Sequence, residues 1–440
     1  MSILFDLLNK GKSPIQVVEF ARKYLEQKGF TPCDYQGAFT MESGGKYYIE
    51  PFPTMFVALT VGKNFMERAT TGLTDKSFDA PGEPLVKVAM AHTDFPCFKL
   101  KSSPEYVTKG YLMANVEPYG GMIRSTWFDR PLGLAGKVVL ASDNVYQPKV
   151  VSFDSGRSLF VIPSLAPHLD REASKGTREY DMQTEMQPIV GMLQEKCNKD
   201  GYLQEYLAKE LQVKPEDILS YDLFLYNTDG VTKVGLEEEL FLSPGIDNLA
   251  SVAALVEGIA SCENEDGISV AVCYDNEEIG SRSKQGADSA MMARLLERVA
   301  DALQIAPDMW RSIMTRGFLL SVDGAHALHP NYVSKGDITN EVLLGKGPVI
   351  KTSASQRYIS DSQGAAVLMQ LCKKYQIPYQ VQVNRSGMPG GQTLGPIATS
   401  YLPWQGADLG VPMLAMHSAN ELASEEDWKS LSCLIQAYFS

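Results

Sequence analysis

The chain has 440 residues, of which 44% are hydrophobic, and a formal net charge of −13 at pH 7. This length and composition predict a globular protein with two or three packed domains and exclude a fibrous or intrinsically disordered chain. The acidic balance, without any block rich in Lys or Arg, argues against nucleic acid and against a membrane surface as partners.

The first predicted element is a helix near the N-terminus, where Ser13 and Pro14 precede a segment of helical apolar spacing that Gly29 closes. Before this helix, the chain lacks the positively charged segment of an export signal, and Asp6 interrupts its apolar residues. No apolar run approaches the length of a membrane-spanning helix. We therefore expect a cytoplasmic protein without a membrane anchor.

Cysteines are scattered singly along the chain, at positions 33, 97, 197, 262, 273, 372 and 433. Because they form no Cys-x-x-Cys pair, the pattern fits neither a disulfide framework nor a zinc finger. This usage favours a reducing compartment.

Between about residues 96 and 240 the sequence changes to short alternating runs, such as 136–141 and 158–163, with a helical segment from about 203 to 211. Short runs with turn signals predict a mostly β module. Because candidate ligands lie on both sides of this stretch, we expect 96–240 to be an insertion into an α/β catalytic domain formed by 1–95 and 241–440.

Several apolar runs end in side chains of the types that bind metal ions. The residues at these positions are His92, Glu277, Glu278, Asp323 and His417, and Asp247 stands directly before a helix-like segment. In open α/β sheets, ligands collect outside the carboxyl ends of the strands, so these residues are expected to converge. Two adjacent carboxylates after a buried-looking strand are costly unless a cation meets them.

The last predicted element is a C-terminal helix, because 424–427 resembles a capping box and apolar residues follow at helical spacing. The glycine-rich segment 387–391 before it lacks the Gly-x-x-x-x-Gly-Lys spacing of a phosphate-binding loop. Nucleotide binding is therefore not expected.

If the five proposed ligands His92, Asp247, Glu278, Asp323 and His417 converge, they offer two imidazoles and three carboxylates. This set suits Zn²⁺, and also Co²⁺ or Mn²⁺, but it is too large for one open catalytic zinc. We expect two ions, with Asp247 bridging, His92 and Asp323 on one, and Glu278 and His417 on the other. A pair about 3.5–4 Å apart activates water and polarises a carbonyl, as peptide hydrolysis requires.

Two further carboxylates complete the predicted chemistry. Glu277 carries no metal in this scheme and is placed to take a proton from the attacking water and to pass it to the leaving amine. Asp94 is placed to accept the second ring N–H of His92 and so to fix its tautomer.

Each of these residues also has a structural explanation when taken alone. Asp247 is by default a helix N-cap, Asp323 a turn residue, and a lone histidine a satisfied buried side chain. The joint placement favours a site, since the chain has only five histidines and two of them end apolar runs. For His326 and His329, a supporting role and a loop-forming role both remain open.

Two rival functions stay open at this point. A glycosidase would use Glu277 with a second carboxylate and would need neither metal nor histidine. A non-enzymatic scaffold would keep the metal site only to hold its fold.

Taken together, the motifs resemble the aspartyl aminopeptidase family of dinuclear zinc exopeptidases. They are residues 92–94, 245–248, 275–280, 322–326 and 415–418. Further similar segments are 119–121, 125–130, 162–168, 355–358 and 393–397. The resemblance spans nearly the whole chain, in order.

This resemblance implies a phosphorylase/hydrolase-like α/β catalytic domain with a central mixed sheet flanked by helices, plus an inserted mostly β domain. It implies an aminopeptidase that removes single N-terminal residues and assembles into a homo-oligomer, a tetrahedral dodecamer enclosing the active sites. It also implies that His168 reaches the active site of a neighbouring subunit, and that substrates are short peptides or flexible N-termini.

Members of the family favour N-terminal Asp or Glu, which requires a cation in the pocket, and Lys351 occupies the matching position. The chain departs from the common family pattern in the loop 386–392 and at Pro131. A preference for neutral or hydrophobic N-terminal residues therefore remains the alternative.

Overall fold

The computed structural model describes residues 2–74, 83–170, 179–193 and 200–440. The helices of this part of the chain are α1 (Ile3–Lys10), α2 (Pro14–Gln27), α3 (Phe65–Thr74), α4 (Tyr202–Leu211), α5 (Ile246–Ala260), α6 (Met291–Ala302), α7 (Pro307–Met314), α8 (Ser362–Tyr375), α9 (Leu394–Ala398) and α10 (Glu425–Phe439). None of the described helices is long and apolar enough to cross a membrane.

The strands before residue 230 are β1 (Thr31–Pro32), β2 (Lys46–Phe52), β3 (Met55–Val61), β4 (Val86–His92), β5 (Cys97–Thr108), β6 (Tyr111–Tyr119), β7 (Leu132–Leu140), β8 (Lys149–Asp154), β9 (Ile189–Met192) and β10 (Ile218–Asn227). Those after it are β11 (Thr232–Val234), β12 (Leu240–Ser243), β13 (Ile268–Tyr274), β14 (Gly317–Val322), β15 (Ala325–His326), β16 (Val349–Thr352), β17 (Gln380–Val383), β18 (Gln405–Gly410), β19 (Pro412–Leu414) and β20 (Glu421–Ser424).

The largest sheet has nine strands in the order β1-β2-β3-β13-β4-β14-β18-β16-β17. Its central strands β13, β4, β14 and β18 run parallel, while β3 and β16 pair with them antiparallel. Strands β3, β4 and β13 are buried at every position, as expected for strands covered on both faces. One hydrophobic core contains α1, α2, α5, α8 and α10, and a second contains α6, α7 and α9. The predicted mixed sheet flanked by helices is confirmed.

Because β13, β4 and β14 are parallel neighbours, their carboxyl ends meet at one edge of the sheet. His92 is the last residue of β4, Glu277 and Glu278 follow β13, and Asp323 follows β14. The fold therefore delivers four candidate site residues to one place.

A second sheet has six strands in the order β8-β7-β10-β5-β6-β9, and every pair in it is antiparallel. It has its own hydrophobic core, which includes Phe98, Trp127 and Leu223. Its strands lie between Cys97 and Asn227, and α4 matches the predicted helical segment. The run 158–163 forms only isolated bridges, through Phe160 and Val161, rather than a strand.

A third sheet, in the order β11-β12-β20-β19-β15, lies beside the strand ends. It accounts for His417, which follows the apolar run 411–416. Strand β18 ends at Gly410, where a Cβ would lie 1.5 Å from the carbonyl oxygen of Asp323, and β19 begins two residues later in the third sheet. His417 therefore follows a strand of this small sheet rather than one of the nine-stranded sheet.

Both predicted terminal helices form, but their serines make no cap. Ser13 and Ser424 occupy the N-cap positions of α2 and α10, but among the described residues neither side chain accepts a backbone N–H of its helix. The Ser13 hydroxyl donates instead to the side-chain oxygen of Gln16. Asp427 does not complete a capping box, because its carboxylate accepts from the backbone N–H groups of Gly345 and Gly347, both at 2.7 Å.

Candidate metal centre

Asp247 lies at the centre of the cluster that the strand ends create. It is the second residue of α5, but its φ and ψ are not helical, and the peptide bond to Asn248 is cis. Asn248 is anchored by its side-chain N–H, which donates to the carbonyl oxygen of Val322 at 2.9 Å. The Asp247 side chain thus faces the sheet edge instead of capping the helix.

One imidazole and one carboxylate lie on the first side of Asp247. Nε2 of His92 is 3.6 Å from Oδ1 of Asp247 and 3.6 Å from Oδ1 of Asp323. The His92 side chain is 1% exposed, so these groups share a nearly dry environment.

A second imidazole and carboxylate lie on the other side. Nε2 of His417 is 3.5 Å from Oδ2 of Asp247 and 3.5 Å from Oε2 of Glu278. Nδ1 of His417 lies 3.0 Å from the carbonyl oxygen of Gly121, which leaves Nε2 directed at the carboxylates. The structure thus brings all five predicted ligands together and places Asp247 between two groups.

Glu277 borders the cluster without lying at its centre. Its Oε2 is 4.0 Å from Nε2 of His92, and its side chain is 14% exposed. Burial raises the pKa of Glu277 to about 8, with His92 opposing the rise and Asp323 adding to it. A carboxyl group with a pKa near neutrality is suited to accept and return a proton.

Asp94 organises the loop that carries the two glutamates. Its Oδ1 accepts the backbone N–H of Glu277 at 3.1 Å, and its Oδ2 accepts that of Glu278 at 3.1 Å and the hydroxyl of Tyr119 at 2.7 Å. Nδ1 of His92 is 2.9 Å from the backbone carbonyl of Asp94 and 3.3 Å from its Oδ1. The main-chain oxygen is therefore the nearer acceptor for the ring.

Glu421 also accepts two backbone N–H groups, from Asp247 and His417. Its Oε2 accepts the backbone N–H of Asp247 at 2.9 Å, and its Oε1 accepts that of His417 at 2.7 Å. Glu421 is 1% exposed. Burial and the neighbouring Asp247 raise its pKa to about 8, although the two backbone N–H groups oppose the rise.

The charges of the cluster perturb each other strongly. Burial alone would lower the pKa of both histidines, but contact with Asp247 and neighbouring carboxylates raises the pKa of His92 well above its usual value and that of His417 to about 10. Burial alone would raise the pKa of Asp247, but its contacts with both imidazoles lower the pKa below the usual value. Burial and Asp247 raise the pKa of Glu278.

The residues present fit divalent cations. Oδ1 of Asp247 is buried and has no hydrogen-bond partner among the described residues, and ligand atoms of His92, Asp247 and Glu278 all lie within 4.8 Å of one another. A cation between them would satisfy the unpartnered oxygen and would offset the repulsion among the carboxylates. Imidazoles and carboxylates in this number suit zinc and similar metals.

Lys351 lines a cavity of about 130 Å³ together with the cluster. The lysine is 2% exposed, and its Nζ donates to the carbonyl oxygen of Gly324 at 2.9 Å and lies 5.3 Å from the ring centroid of Tyr358. Asp408, fully buried, is its partner across the antiparallel pair of β16 and β18. The cavity is thus lined both by the proposed metal ligands and by a buried ammonium group.

A neighbouring groove of about 450 Å³ shares His326 and Gln382 with this cavity. Met388, from the unusual loop 386–392, lies on its wall and is 44% exposed. His326 thus borders both spaces, whereas His329 accepts the backbone N–H of Asn331 and so shapes its own loop.

His168 lies in an exposed turn and is absent from the residues that line the cavity. Within the described part of this chain, no recorded contact joins it to the cluster.

Three residues that organise the site were given no role by the sequence reasoning: Tyr119, Asn276 and Glu421. Tyr119 accepts an N–H from the Asn276 side chain at 2.9 Å while donating to Asp94. For Glu421 the sequence offers one signal: an acidic residue stands at the start of a short strand, only four residues after the proposed ligand His417.

Comparison with known proteins gives one family. Residues 7–439 match the family model of the aminopeptidase I zinc metalloproteases, M18. The chain is 37% identical over 425 residues to a probable M18 family aminopeptidase 2 of Clostridium novyi (strain NT), covering 96% of this chain and 94% of that protein. It is 36% identical over 439 residues to the protein of the same description from Ectopseudomonas mendocina (strain ymp), covering 99% and 97%.

Solved structures show the same fold. An M18 aminopeptidase from Thermotoga maritima superposes with a TM-score of 0.84 at 20% identity, covering 99% of this chain and 94% of that one. A chain from a cryo-EM structure of the Ape4 and Nbr1 complex superposes with a TM-score of 0.90 at 30% identity, covering 99% and 84%.

Proposed function

The chain belongs to the M18 family of zinc metalloproteases and is a zinc metalloaminopeptidase, and from this premise we propose that it uses two metal ions and Glu277 to release single residues from peptide N-termini. The observation that carries this proposal is the position of Asp247, 3.6 Å from the His92 imidazole and 3.5 Å from that of His417. A carboxylate so placed is suited to bridge two ions, for which we propose Zn²⁺, with Co²⁺ or Mn²⁺ as functional substitutes.

In this proposal, His92 and Asp323 would hold one ion, and Glu278 and His417 would hold the other. When bound, the ions polarise the scissile carbonyl and make water a better nucleophile. Glu277 accepts the proton of the attacking water and returns it to the leaving amine as the tetrahedral intermediate collapses. Asp94 acts as a positioning residue, since it holds the backbone of Glu277 and orients His92.

We propose a preference for N-terminal Asp or Glu, read by Lys351. The cavity supports this assignment because the buried Lys351 lines it together with the proposed metal ligands. A carboxylate side chain that reaches Nζ would form a charge-assisted hydrogen bond with it. Release of Leu in preference to Asp would instead assign specificity to the loop 386–392.

The remaining assignments rest on the family. A relative's structure is described as the S. cerevisiae mApe1 dodecamer, and we propose a tetrahedral dodecamer for this chain, with His168 reaching the active site of a neighbouring subunit. We also propose a cytoplasmic location, and the division into a catalytic domain (1–95 and 241–440) and an inserted, subunit-contacting domain (96–240).

Glu277→Gln tests the mechanism, because the amide keeps the shape of the side chain and loses the base. The metal content of purified protein should stay at two ions per chain while kcat falls at least about 100-fold, the typical contribution of general acid–base catalysis. Glu263→Gln, which changes an exposed glutamate after α5, serves as the matched control. Normal turnover in Glu277→Gln would remove Glu277 from the role of base.

A further inference from the structure

Glu421 connects two chain segments that carry proposed ligands but lie far apart in sequence. It is the first residue of β20, and its backbone pairs with Ser243 at the end of β12. Ser243 leads through Pro244 and Gly245 to Asp247. This pairing places the Glu421 side chain beside the turn that delivers Asp247.

The second segment is the turn from Ala415 to Ser418, which lies just before β20. Ala415 and His417 have φ values of 57° and 67°, in the left-handed region that costs energy for residues other than glycine. Such a backbone persists only where its surroundings hold it. Here Ile123 donates its N–H to the carbonyl oxygen of His417 at 2.9 Å, and the N–H of His417 donates to Glu421.

The two oxygens of the Glu421 carboxylate therefore have different partners, the amide of Asp247 and the amide of His417. A carboxylate offers two acceptor oxygens, and the glutamate side chain is long enough to reach both amides here. Glutamine keeps one acceptor and turns an NH₂ group toward the other N–H, while alanine removes both acceptors. A buried N–H that loses its acceptor is costly, so the two turns would separate or rotate.

The Asp94 carboxylate provides an internal comparison. It also accepts two backbone N–H groups, but from Glu277 and Glu278, which are adjacent in sequence. Asp94 therefore shapes a single loop. Glu421 instead fixes the relative position of Asp247 and His417, whose ligand atoms lie 3.5 Å apart.

We propose that Glu421 is a positioning residue that sets the metal affinity of one half of the centre, the position formed by Asp247, Glu278 and His417. The other position, formed by His92, Asp323 and Asp247, depends on Glu421 less, because His92 and Asp323 follow strands of the nine-stranded sheet and have no contact with it among the recorded hydrogen bonds of the described residues. This inference rests on the proposed two-ion function.

The test is a metal titration of the metal-free, full-length protein. Zn²⁺ affinities are measured by competition with a chromophoric chelator, and Co²⁺ binding is followed by its visible absorption, for the wild type, Glu421→Gln and Glu421→Ala. We expect two ions in the wild type. In Glu421→Gln one affinity should fall about 10- to 100-fold, the usual effect of changing a residue that orients metal ligands, while the other changes less than about threefold. Glu421→Ala should show a larger loss at the same position.

Glu425→Gln is the matched control. Glu425 is the first residue of α10, four positions after Glu421, and its carboxylate pairs with Lys233 and Lys429 instead of with the backbone of the metal centre. It should retain both affinities. If Glu421→Gln does not fold, as judged by near-ultraviolet circular dichroism, Glu421→Asp takes its place, since it keeps the charge and both acceptors but shortens the reach.

The outcomes separate the two proposals. A wild type that binds one ion contradicts the two-ion function, whatever Glu421 does. Two ions in the wild type, with both affinities unchanged in Glu421→Gln and Glu421→Ala, overturn the inference alone. An equal loss at both positions also overturns it, since the effect would then be a general loosening of the centre.

Discussion

The hydroxyl of Tyr119 donates a 2.7 Å hydrogen bond to Oδ2 of Asp94, and this contact joins the six-stranded sheet to the edge of the nine-stranded sheet. Tyr119 is the last residue of β6, and Asp94 lies two residues beyond β4. The loop that carries Glu277 and Glu278 is therefore held in part by the six-stranded sheet.

Tyr119→Phe removes this bond and the acceptor for the Asn276 amide while keeping the ring in place. Loss of a buried hydrogen bond should lower the free energy of unfolding by about 1–2 kcal/mol. We expect kcat to fall about tenfold with metal content and KM little changed, because the Glu277 loop is less well held. Steady-state kinetics and denaturant unfolding check both effects, with Tyr146→Phe, 95% exposed, as the control. An unchanged kcat would show that Tyr119 stabilises the fold but does not affect turnover.

Lys351→Met should act on specificity rather than on chemistry. Without the ammonium, kcat/KM for peptides with N-terminal Asp or Glu should fall about 10- to 100-fold, the value of a charge-assisted hydrogen bond of about 1.5–3 kcal/mol. The value for N-terminal Leu should stay level or rise. The two rates are compared in one preparation, with the exposed Lys346→Met as the control. A parallel loss on all substrates would show that Lys351 supports the fold instead.

The pH dependence of metal affinity follows from the metal-free cluster. The pKa of His417 is raised to about 10, so at neutral pH its imidazole carries a proton that a metal ion must displace. The apparent metal affinity should therefore rise with pH and fall on acidification, by about tenfold per pH unit for each proton released. Chelator competition at pH 6.5, 7.5 and 8.5 measures the slope, and calorimetry in buffers of different ionisation heat counts the protons. A flat profile would contradict the assignment of His417 as a ligand.

A subunit-mixing experiment tests His168. If His168 completes a neighbour's active site, His168→Ala and Glu277→Gln oligomers are each impaired for different reasons. Dissociating and reassembling them together should restore part of the activity, because some sites then combine an intact Glu277 with an intact His168 from the adjacent chain. Sedimentation analysis first establishes the assembly. Reassembled mixtures without added activity would remove His168 from that role.

The sequence predicted those parts of the site that local patterns determine. The residues at the ends of β4, β13 and β14 converge as expected, because parallel neighbours end at one sheet edge. The position of His417 was only partly predicted, since the break after Gly410 depends on the close approach of the Asp323 backbone.

Long-range hydrogen bonds lay beyond the sequence patterns. Glu421 has no local feature that indicates its two amide donors, which come from different turns. Residues 424–427 resemble a capping box, which would pair the side chains of Ser424 and Asp427 with the first turn of α10. The Asp427 carboxylate instead accepts the backbone N–H groups of Gly345 and Gly347. Tertiary contact decided both cases.

The position of the proposed ligand Asp323 depends on Gly410, a residue that has no functional group of its own. A methyl group there would overlap the carbonyl oxygen of Asp323, at 1.5 Å, and would displace a proposed ligand from behind. In a library of random single variants, position 410 should therefore be as intolerant as the histidines and carboxylates themselves. An inherited or engineered substitution at this glycine would therefore lower activity in the same way as the loss of a ligand. Its cause would be a steric clash with the Asp323 backbone.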